Sequence, residues 1–261
     1  MTDDVDLLVA AAREAGAMAM TYYRRNPQTW PKGKSIVSEA DLALDRLLTE
    51  RLRAARPDYG WLSEETADNP DRLNRRRTFV VDPIDGTRNF LEGGREWTIS
   101  LAVVEDGRPV AAALFAPVLD EMHAAAPGRG ASRNGVALHV SDRSDLATAR
   151  LAGPRRYART AAAAAGIAEA TLRFVPSLAY RLALVAAAEL DVAIAGPGAN
   201  DWDIAAADLL VHEAGGTLTD FAGLTIRYNS EETRHPPLIA ANAPLRPSAT
   251  ALVEAVERQL G

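Results

Sequence analysis

The chain has 261 residues and no cysteine, which excludes disulfides and thiolate metal sites. Its formal charge of −6 argues against a general nucleic-acid binder, because such proteins usually present a basic face. With 48% hydrophobic residues, the chain can bury a sizeable core as one large domain or two smaller ones. It shows neither a signal-peptide pattern nor an uncharged apolar run of ~20 residues, so we expect a soluble cytoplasmic protein without a membrane partner.

The first half of the chain is predicted to contain two helices followed by a meander of strands. Apolar residues recur at helical spacing over residues 4–25, and a second helix is predicted to begin at the N-cap Ser38 and to end before Pro57. The stretch "NPQTWPKGK" between them is predicted to be a loop. Strands are predicted in "YGWLSEE", "TFVVD" and "EMHAAAP", a hairpin in "WTISLAVVEDGRPVAAALFAPV" and a turn in "GRGASRNG".

The second half is predicted to alternate strands with helices, which favours an α/β layer. The predicted strands are "ARLAGP", "LRFVP", "DVAIAGP", "TLTD", "LTIRYN" and "PLIAANAP". The predicted helices are "YARTAAAAAGIAEA", "SLAYRLALVAAAEL", "DWDIAAADLLVHEAGG" and "RPSATALVEAVERQL". A composition shift near residue 140 predicts an α+β half over residues 1–138, carrying the site, and an α/β half over residues 139–261.

Acidic residues stand at the ends of predicted strands and the start of a predicted helix, where α/β proteins place their chemistry. Glu64 and Glu65 close one strand, Asp82 closes the next, Asp85 follows Pro83, and Asp203 opens a helix. Each has an ordinary alternative: a solvated pair for the two glutamates, a simple turn for Asp85, and a helix N-cap for Asp203. Adjacent strand residues face opposite sides, so at most one glutamate would point into a site.

Pro83 is predicted to stop the strand, because it has no N–H for the ladder. A tight turn then brings Asp82 and Asp85 to one side, where two carboxylates disfavour each other's ionisation. A divalent cation would compensate them, and Mg²⁺ prefers oxygen ligands. The Ile84 carbonyl between them is a further possible ligand, so the pattern favours an oxygen-only metal site.

The residues after Asp85 predict a place for a phosphate group. Gly86 lets a ligand approach the backbone closely, and "TRNFLEGG" can form a short helix whose free N–H groups would favour a phosphate oxygen. Acids that bind metal next to a helix start that accepts phosphate imply phosphoryl transfer.

Three signatures resemble the inositol monophosphatase family of metal-dependent phosphatases: "WLSEE", "DPIDGTRNF" and "WDIAAADLLVHEAGG". Weaker likenesses lie in "VSEADLALDRLL", "GRGASRNG" and "PLIAANAPL", so the resemblance spans residues 34 to 245. It implies a layered α-β-α-β-α sandwich, two or three Mg²⁺ ions with Mn²⁺ as a substitute, inhibition by Li⁺, and a homodimer.

The resemblance also implies roles for individual residues. The metal ligands would be Glu64, Asp82, the Ile84 carbonyl, Asp85 and Asp203. Gly86 and Thr87 would bind phosphate, Asp41 with Thr87 would orient the attacking water, and Glu65 would hold a water nearby. From the residues alone, Asp41 has another explanation, as an acid in the first turn of the helix capped by Ser38.

The substrate is less well indicated than the chemistry. A small phosphorylated metabolite of the inositol monophosphate type is predicted, but "AIAGPGANDWD" lacks the Glu that inositol-specific members carry before their Trp-Asp pair. The stretch is closer to relatives that remove the 3′-phosphate from adenosine 3′,5′-bisphosphate. Arg155, Arg156 and Arg159 could then meet a second phosphate, with a solvated loop and helix start as the alternative. Partnership with the transcription machinery and a metal-stabilised structural protein are further alternatives from other functional classes.

Overall fold

The computed structural model describes residues 3–33, 35–168 and 171–246, together with residues 248, 249, 252 and 256. The α-helices in this part of the chain are α1 (Asp4–Tyr22), α2 (Glu39–Ala55), α3 (Thr87–Leu91), α4 (Arg155–Ala165), α5 (Leu178–Ala186) and α6 (Asp201–Glu213). The first nine strands are β1 (Thr29–Lys32), β2 (Ser35–Ser38), β3 (Gly60–Ser63), β4 (Arg77–Asp85), β5 (Thr98–Glu105), β6 (Arg108–Ala116), β7 (Glu121–Ala126), β8 (Gly130–Arg133) and β9 (Val136–Leu138). The later strands are β10 (Leu151–Ala152), β11 (Leu172–Arg173), β12 (Val192–Ala195), β13 (Gly216–Asp220) and β14 (Leu238–Asn242).

The strands form a hairpin and two larger sheets. Strands β1 and β2 pair with each other. A seven-stranded sheet has the order β3-β4-β5-β6-β7-β8-β9, parallel between β3 and β4 and antiparallel elsewhere. A five-stranded sheet has the order β11-β10-β12-β14-β13, in which β14 pairs antiparallel with both of its neighbours. The division at residues 138 and 139 stays a prediction.

Alternation along β4 shows that the seven-stranded sheet is covered on both faces. Phe79 and Val81 pack in one apolar cluster with Leu8 of α1 and Leu44 of α2. Val80, which lies between them, packs in a second cluster with residues of α5 and α6. Successive strand residues point to opposite faces, so every second apolar residue serves a different layer.

The five-stranded sheet completes the layers. In β12, Ala193 and Ala195 join the cluster of α5 and α6. The alternate residues Val192 and Ile194 pack with α4 on the other face. The order of layers is α1 and α2, seven strands, α5 and α6, five strands, then α4. The predicted α-β-α-β-α sandwich is confirmed.

Strand β4 does not stop at Pro83, so that prediction was wrong. Asp82 pairs with Ser100 and Asp85 pairs with Thr98, so β4 advances three residues while β5 advances two. The extra residue forms a β-bulge, which accommodates a proline that cannot donate to the ladder.

Three other local predictions differ from the structure. The predicted loop "NPQTWPKGK" contains β1, which pairs with β2 from Thr29–Ser38 to Lys32–Ser35. The turn "GRGASRNG" contributes β8, paired on both sides. "LTIRYN" contains no named strand among the described residues, and its backbone is held by Arg108, which donates to Ile226 O at 3.1 Å.

Most of the predicted C-terminal helix "RPSATALVEAVERQL" lies outside the described residues. Within the described ranges, every helix is too short or too polar to cross a bilayer.

Candidate active site

The bulge in β4 directs two carboxylates to one side of the strand end. Asp82 is 1% exposed, and its Oδ1 accepts a hydrogen bond from Ile84 N at 3.0 Å. This bond fixes the turn over Pro83 and leaves Asp82 Oδ2 free for another partner. Asp85 follows as the last residue of the strand.

Asp85 is held by the start of α5. Its Oδ2 accepts hydrogen bonds from the Ser177 hydroxyl and from Ala179 N, the latter at 2.7 Å. Burial raises the pKa of Asp85, while the Ser177 bond opposes that rise. Ser177 also caps α5 by accepting from Tyr180 N at 3.0 Å. Sequence reasoning missed Ser177 as a site residue, although a serine before an apolar helical run signals an N-cap.

Asp203 approaches the same point from α6. Asn200, and not Asp203, is the N-cap of that helix, and Asp203 completes a capping box by accepting from Asn200 N at 2.7 Å. The bond uses Asp203 Oδ2, which leaves Oδ1 for the cavity. Sequence reasoning alone could not decide between an N-cap and a site residue, and the structure makes Asp203 part of both a cap and the acid cluster.

The three aspartates form one cluster, with one oxygen each from Asp82, Asp85 and Asp203 within 4.8 Å of one another. Burial first, and the neighbouring carboxylates second, raise the pKa of Asp82 and of Asp203 well above the ordinary value. Three buried acids at this spacing repel one another, and a hard divalent cation with oxygen preference removes that penalty. The donor set therefore fits a magnesium-type ion.

Glu64 and Glu65 follow β3, and both contact Lys32 of the β1–β2 hairpin. Lys32 Nζ lies 3.4 Å from Glu64 Oε1 and 2.9 Å from Glu65 Oε2. Burial raises the pKa of Glu65 to about 7, although the Lys32 bond lowers it. Of the two glutamates, Glu64 lines the cavity and Glu65 does not. Lys32 was missed because its contact depends on a hairpin that the sequence did not predict.

Asp41 meets Thr87 at the edge of the cluster. The Thr87 hydroxyl lies 2.9 Å from Asp41 Oδ1 and 3.0 Å from Ile84 O. Asp41 Oδ2 accepts from Ser38 N at 2.7 Å, so the capping residue fixes the carboxylate. The two explanations of Asp41 are therefore compatible, since one oxygen serves the helix cap and the other holds Thr87.

A cavity of about 390 Å³ opens over these groups. All five predicted metal ligands line it, together with Gly86 and Thr87. Gly86 has φ +94°, and a Cβ there would lie 3.3 Å from Ser177 Cβ, so the turn needs glycine. Arg88 and Phe174 also line the cavity and were not predicted.

The predicted phosphate-binding arginines lie outside this cavity. Arg155 and Arg159 line an adjoining cavity of about 210 Å³, which shares Phe174 with the first. The Arg155 guanidinium stacks on Phe174, with its carbon 4.7 Å from the centre of the ring. Arg156 is exposed and lines neither cavity.

A sequence model described as the inositol monophosphatase family matches residues 2–259. The chain belongs to this family. A Nus factor SuhB of Xylella fastidiosa is 35% identical over 230 residues, which is 84% of this chain and 82% of that protein. The fructose-1,6-bisphosphatase/inositol-1-monophosphatase of Thermotoga maritima is 31% identical over 236 residues, 85% of this chain and 86% of that protein. The solved structure of a Thermotoga maritima IMPase superposes with a TM-score of 0.89 at 29% identity and covers 100% of both chains.

Membership in the inositol monophosphatase family gives the class of chemistry. Members are phosphatases, so the chain is a hydrolase that acts on phosphoric monoesters. The family is metal-dependent, and the aspartate cluster of this chain could bind metal.

Proposed function

We propose that the chain hydrolyses small phosphomonoesters with water activated by bound Mg²⁺. The observation that carries this proposal is the convergence in one cavity of the three aspartates and Thr87, whose hydroxyl is bonded to the buried Asp41. Neither feature alone needs a phosphate ester, but once the aspartates hold a cation the two together supply an anion-attracting centre and a group that handles a proton.

Mg²⁺ would be held by Glu64, Asp82, the Ile84 carbonyl, Asp85 and Asp203, as two or three ions, with Mn²⁺ as a substitute. When bound, it supplies Lewis-acid activation of water and neutralises charge on the phosphate and the leaving oxygen. Glu64 and the aspartates arrive from different elements, so their convergence depends on the packing of β4 against α6.

The proton of the attacking water is handled by Thr87. Because Asp41 Oδ1 accepts the Thr87 proton, a lone pair of Thr87 Oγ1 is left to accept from water. A water held in this way keeps a lone pair directed away from Thr87, with which it would attack phosphorus. Asp41 orients Thr87 and accepts the Thr87 proton when Thr87 takes one from the water, and Glu65 would hold a further water.

The phosphate would lie against the backbone of Gly86 and Thr87. Gly86 leaves that backbone uncovered, and the exposed Arg88 beside it supplies positive charge. The cavity of about 390 Å³ suits a small ligand of the inositol monophosphate type.

A phosphate-release panel tests the proposal. With Mg²⁺ we expect turnover of at least one of inositol 1-phosphate, fructose 1,6-bisphosphate, histidinol phosphate and adenosine 3′,5′-bisphosphate. Excess EDTA should reduce the rate to the buffer background, and added Mg²⁺ should restore it, because the acids alone repel an anionic ester. Full activity in EDTA would contradict hydrolysis by metal-activated water.

A bisphosphate substrate such as adenosine 3′,5′-bisphosphate is the second candidate. Its support is the adjoining cavity, where Arg155 stacks on Phe174 between the two spaces. A relative from Thermotoga maritima is also named as a bisphosphatase. A leaving group with a second phosphate could extend past Phe174 into the adjoining cavity and contact Arg155, whereas a monophosphate would not reach Arg155.

The Arg155→Ala variant separates these two candidates. For adenosine 3′,5′-bisphosphate we expect KM to rise about tenfold, the loss of roughly one charge-assisted hydrogen bond. For inositol 1-phosphate KM should not change. Arg13→Ala is the matched control, because Arg13 stacks on Phe115 at 5.5 Å and is not among the residues of either cavity. Equal KM changes for both substrates would exclude the second phosphate site.

A role beside the transcription machinery is a further candidate, favoured by the relative named Nus factor SuhB. Such a role would survive the loss of turnover, because a binding surface needs no catalysis. With a net charge of −6 we expect a protein partner and not nucleic acid. Cytoplasmic location, a homodimer and inhibition by Li⁺ stay predictions that come from the sequence and the family resemblance.

A further inference from the structure

The connection from β13 to β14 contains an irregular segment, residues 228–235, which crosses the start of α6 and is called the strap below. Its last residue, His235, places Nε2 at 2.7 Å from Asp201 Oδ1. Its second residue, Asn229, donates its N–H to Asp201 Oδ2 at 2.7 Å. Asp201 is fully buried, and the strap therefore satisfies both oxygens of this carboxylate.

The strap also binds α6 at a second point. The Tyr228 hydroxyl donates to Asp208 Oδ2 at 2.8 Å, and both side chains are buried. Asp201 and Asp208 are seven residues apart, about two turns, so they lie on one face of the helix. Asp203 is two residues from Asp201, about 200° around the axis, and faces the cluster. Holding the Asp201 face thus fixes the rotation that directs Asp203 into the site.

A third contact joins the strap to the segment that follows Glu64. Arg72 donates through Nη1 to Asn229 Oδ1 at 2.8 Å and through Nη2 to Ser230 O at 2.9 Å. The Arg72 side chain is 1% exposed and is also paired with Asp68. It lies in the short connection between Glu64 and β4, so the strap links the segment that follows Glu64 to the helix that carries Asp203.

These contacts oppose a force that the site itself generates. Carboxylates within a few ångströms repel one another when no cation lies between them. Glu64 and Asp203 come from different elements, so repulsion would move α6 away from the end of β3. The strap is bonded to α6 and to the segment that follows Glu64, so it resists this movement.

We propose that the strap is a positioning element, which holds Asp203 and Glu64 in place for a divalent cation through His235 on Asp201 and Arg72 on Asn229. This rests on the proposed function, in which those two acids bind Mg²⁺. Neither His235 nor Asn229 lines the cavity, so they act through Asp201 and Arg72 and touch no substrate. Loss of the strap contacts should therefore weaken metal binding more than turnover at saturating metal.

Mn²⁺ binding to the full chain, measured by titration calorimetry, tests the proposal without activity. For His235→Leu we expect a Kd for Mn²⁺ that is 10- to 100-fold higher, as is usual when a group that orients a ligand is removed. His235→Gln keeps an N–H donor and should restore most of the affinity. The kcat at saturating Mg²⁺ should stay within about threefold of wild type, while the Mg²⁺ concentration for half activity rises.

A second variant covers the case in which His235→Leu fails to fold. Asn229 has φ +56°, so Asn229→Gly fits the backbone and removes only the bond to Arg72. We expect a Kd for Mn²⁺ about three- to tenfold higher. Asn134→Gly is the matched control. Asn134 lies in the β8–β9 turn with φ +50°, and its side chain bonds Met122 N and Asp120 O. This turn is at the far end of the sheet from β3.

The outcomes separate this proposal from the proposed function. Wild-type affinity in folded His235→Leu or Asn229→Gly, or an equal loss in Asn134→Gly, would overturn the positioning role alone. A wild-type chain that binds no Mn²⁺ would overturn the metal site and the strap's role with it. Weaker binding in the strap variants with an unchanged control supports the proposal.

Discussion

Asp85→Asn should lower kcat by at least about a thousandfold while the chain stays folded, because it removes one of the three aspartate charges that, with Glu64, hold the cation. The fold should tolerate the change, since the amide oxygen can still accept from Ser177 and Ala179 N. In EDTA we expect a higher thermal midpoint than for wild type, because a repelling buried charge is gone. Added Mg²⁺ should stabilise wild type more than the variant.

Phosphate release and thermal unfolding with and without Mg²⁺ measure both effects in one preparation. Asp120→Asn is the control, since this acid lies in an exposed turn and its side chain is 86% exposed. It should change neither quantity. A variant that keeps wild-type kcat, or that is less stable than wild type in EDTA, would show that Asp85 has another role than cation binding.

The acid cluster could be predicted in part from local sequence. Asp82 and Asp85 are three residues apart, so local chain geometry already keeps them close, although their common direction depends on the bulge opposite β5. Ser38 was predicted as an N-cap for the same reason, and the structure confirms it. The layered fold followed from the resemblance, and the periodicity of apolar residues agreed with it.

The missed features are the ones that depend on distant pairing. Ser177 is 92 residues from Asp85 in the sequence, and Lys32 reaches Glu65 across 33 residues. The contacts of Arg72 with the strap span more than 150 residues. Such contacts leave no period or spacing in a single sequence. Pro83 was misjudged because a β-bulge is a property of two strands, and only the register with β5 reveals it.

The partnership of Thr87 with Asp41 separates the handling of the proton from metal binding. Thr87→Val is nearly isosteric and removes the hydroxyl that lies 2.9 Å from Asp41 Oδ1. We expect kcat to fall about 100-fold or more, since positioned proton transfer typically contributes 10²–10⁴-fold. Mn²⁺ affinity should remain within about threefold of wild type, because the aspartate cluster is untouched. Thr87→Ser keeps the hydroxyl and should recover most of the rate.

Thr87→Val should also lower the stability of the fold, because it leaves one oxygen of the buried Asp41 unpaired. The expected cost in the free energy of unfolding is about 1–3 kcal/mol, which must be distinguished from the loss of rate. Thr66→Val is the matched control, since Thr66 donates to Asp45 of α2 at 2.6 Å and does not line the cavity. It should lose similar stability and keep its kcat. If Thr87→Val turns over like Thr66→Val, the water is not handled by Thr87, and the Asp41–Thr87 pair serves only the start of α2. If its rate falls while its Mn²⁺ affinity is retained, the proton and the cation are handled by different groups of one cavity.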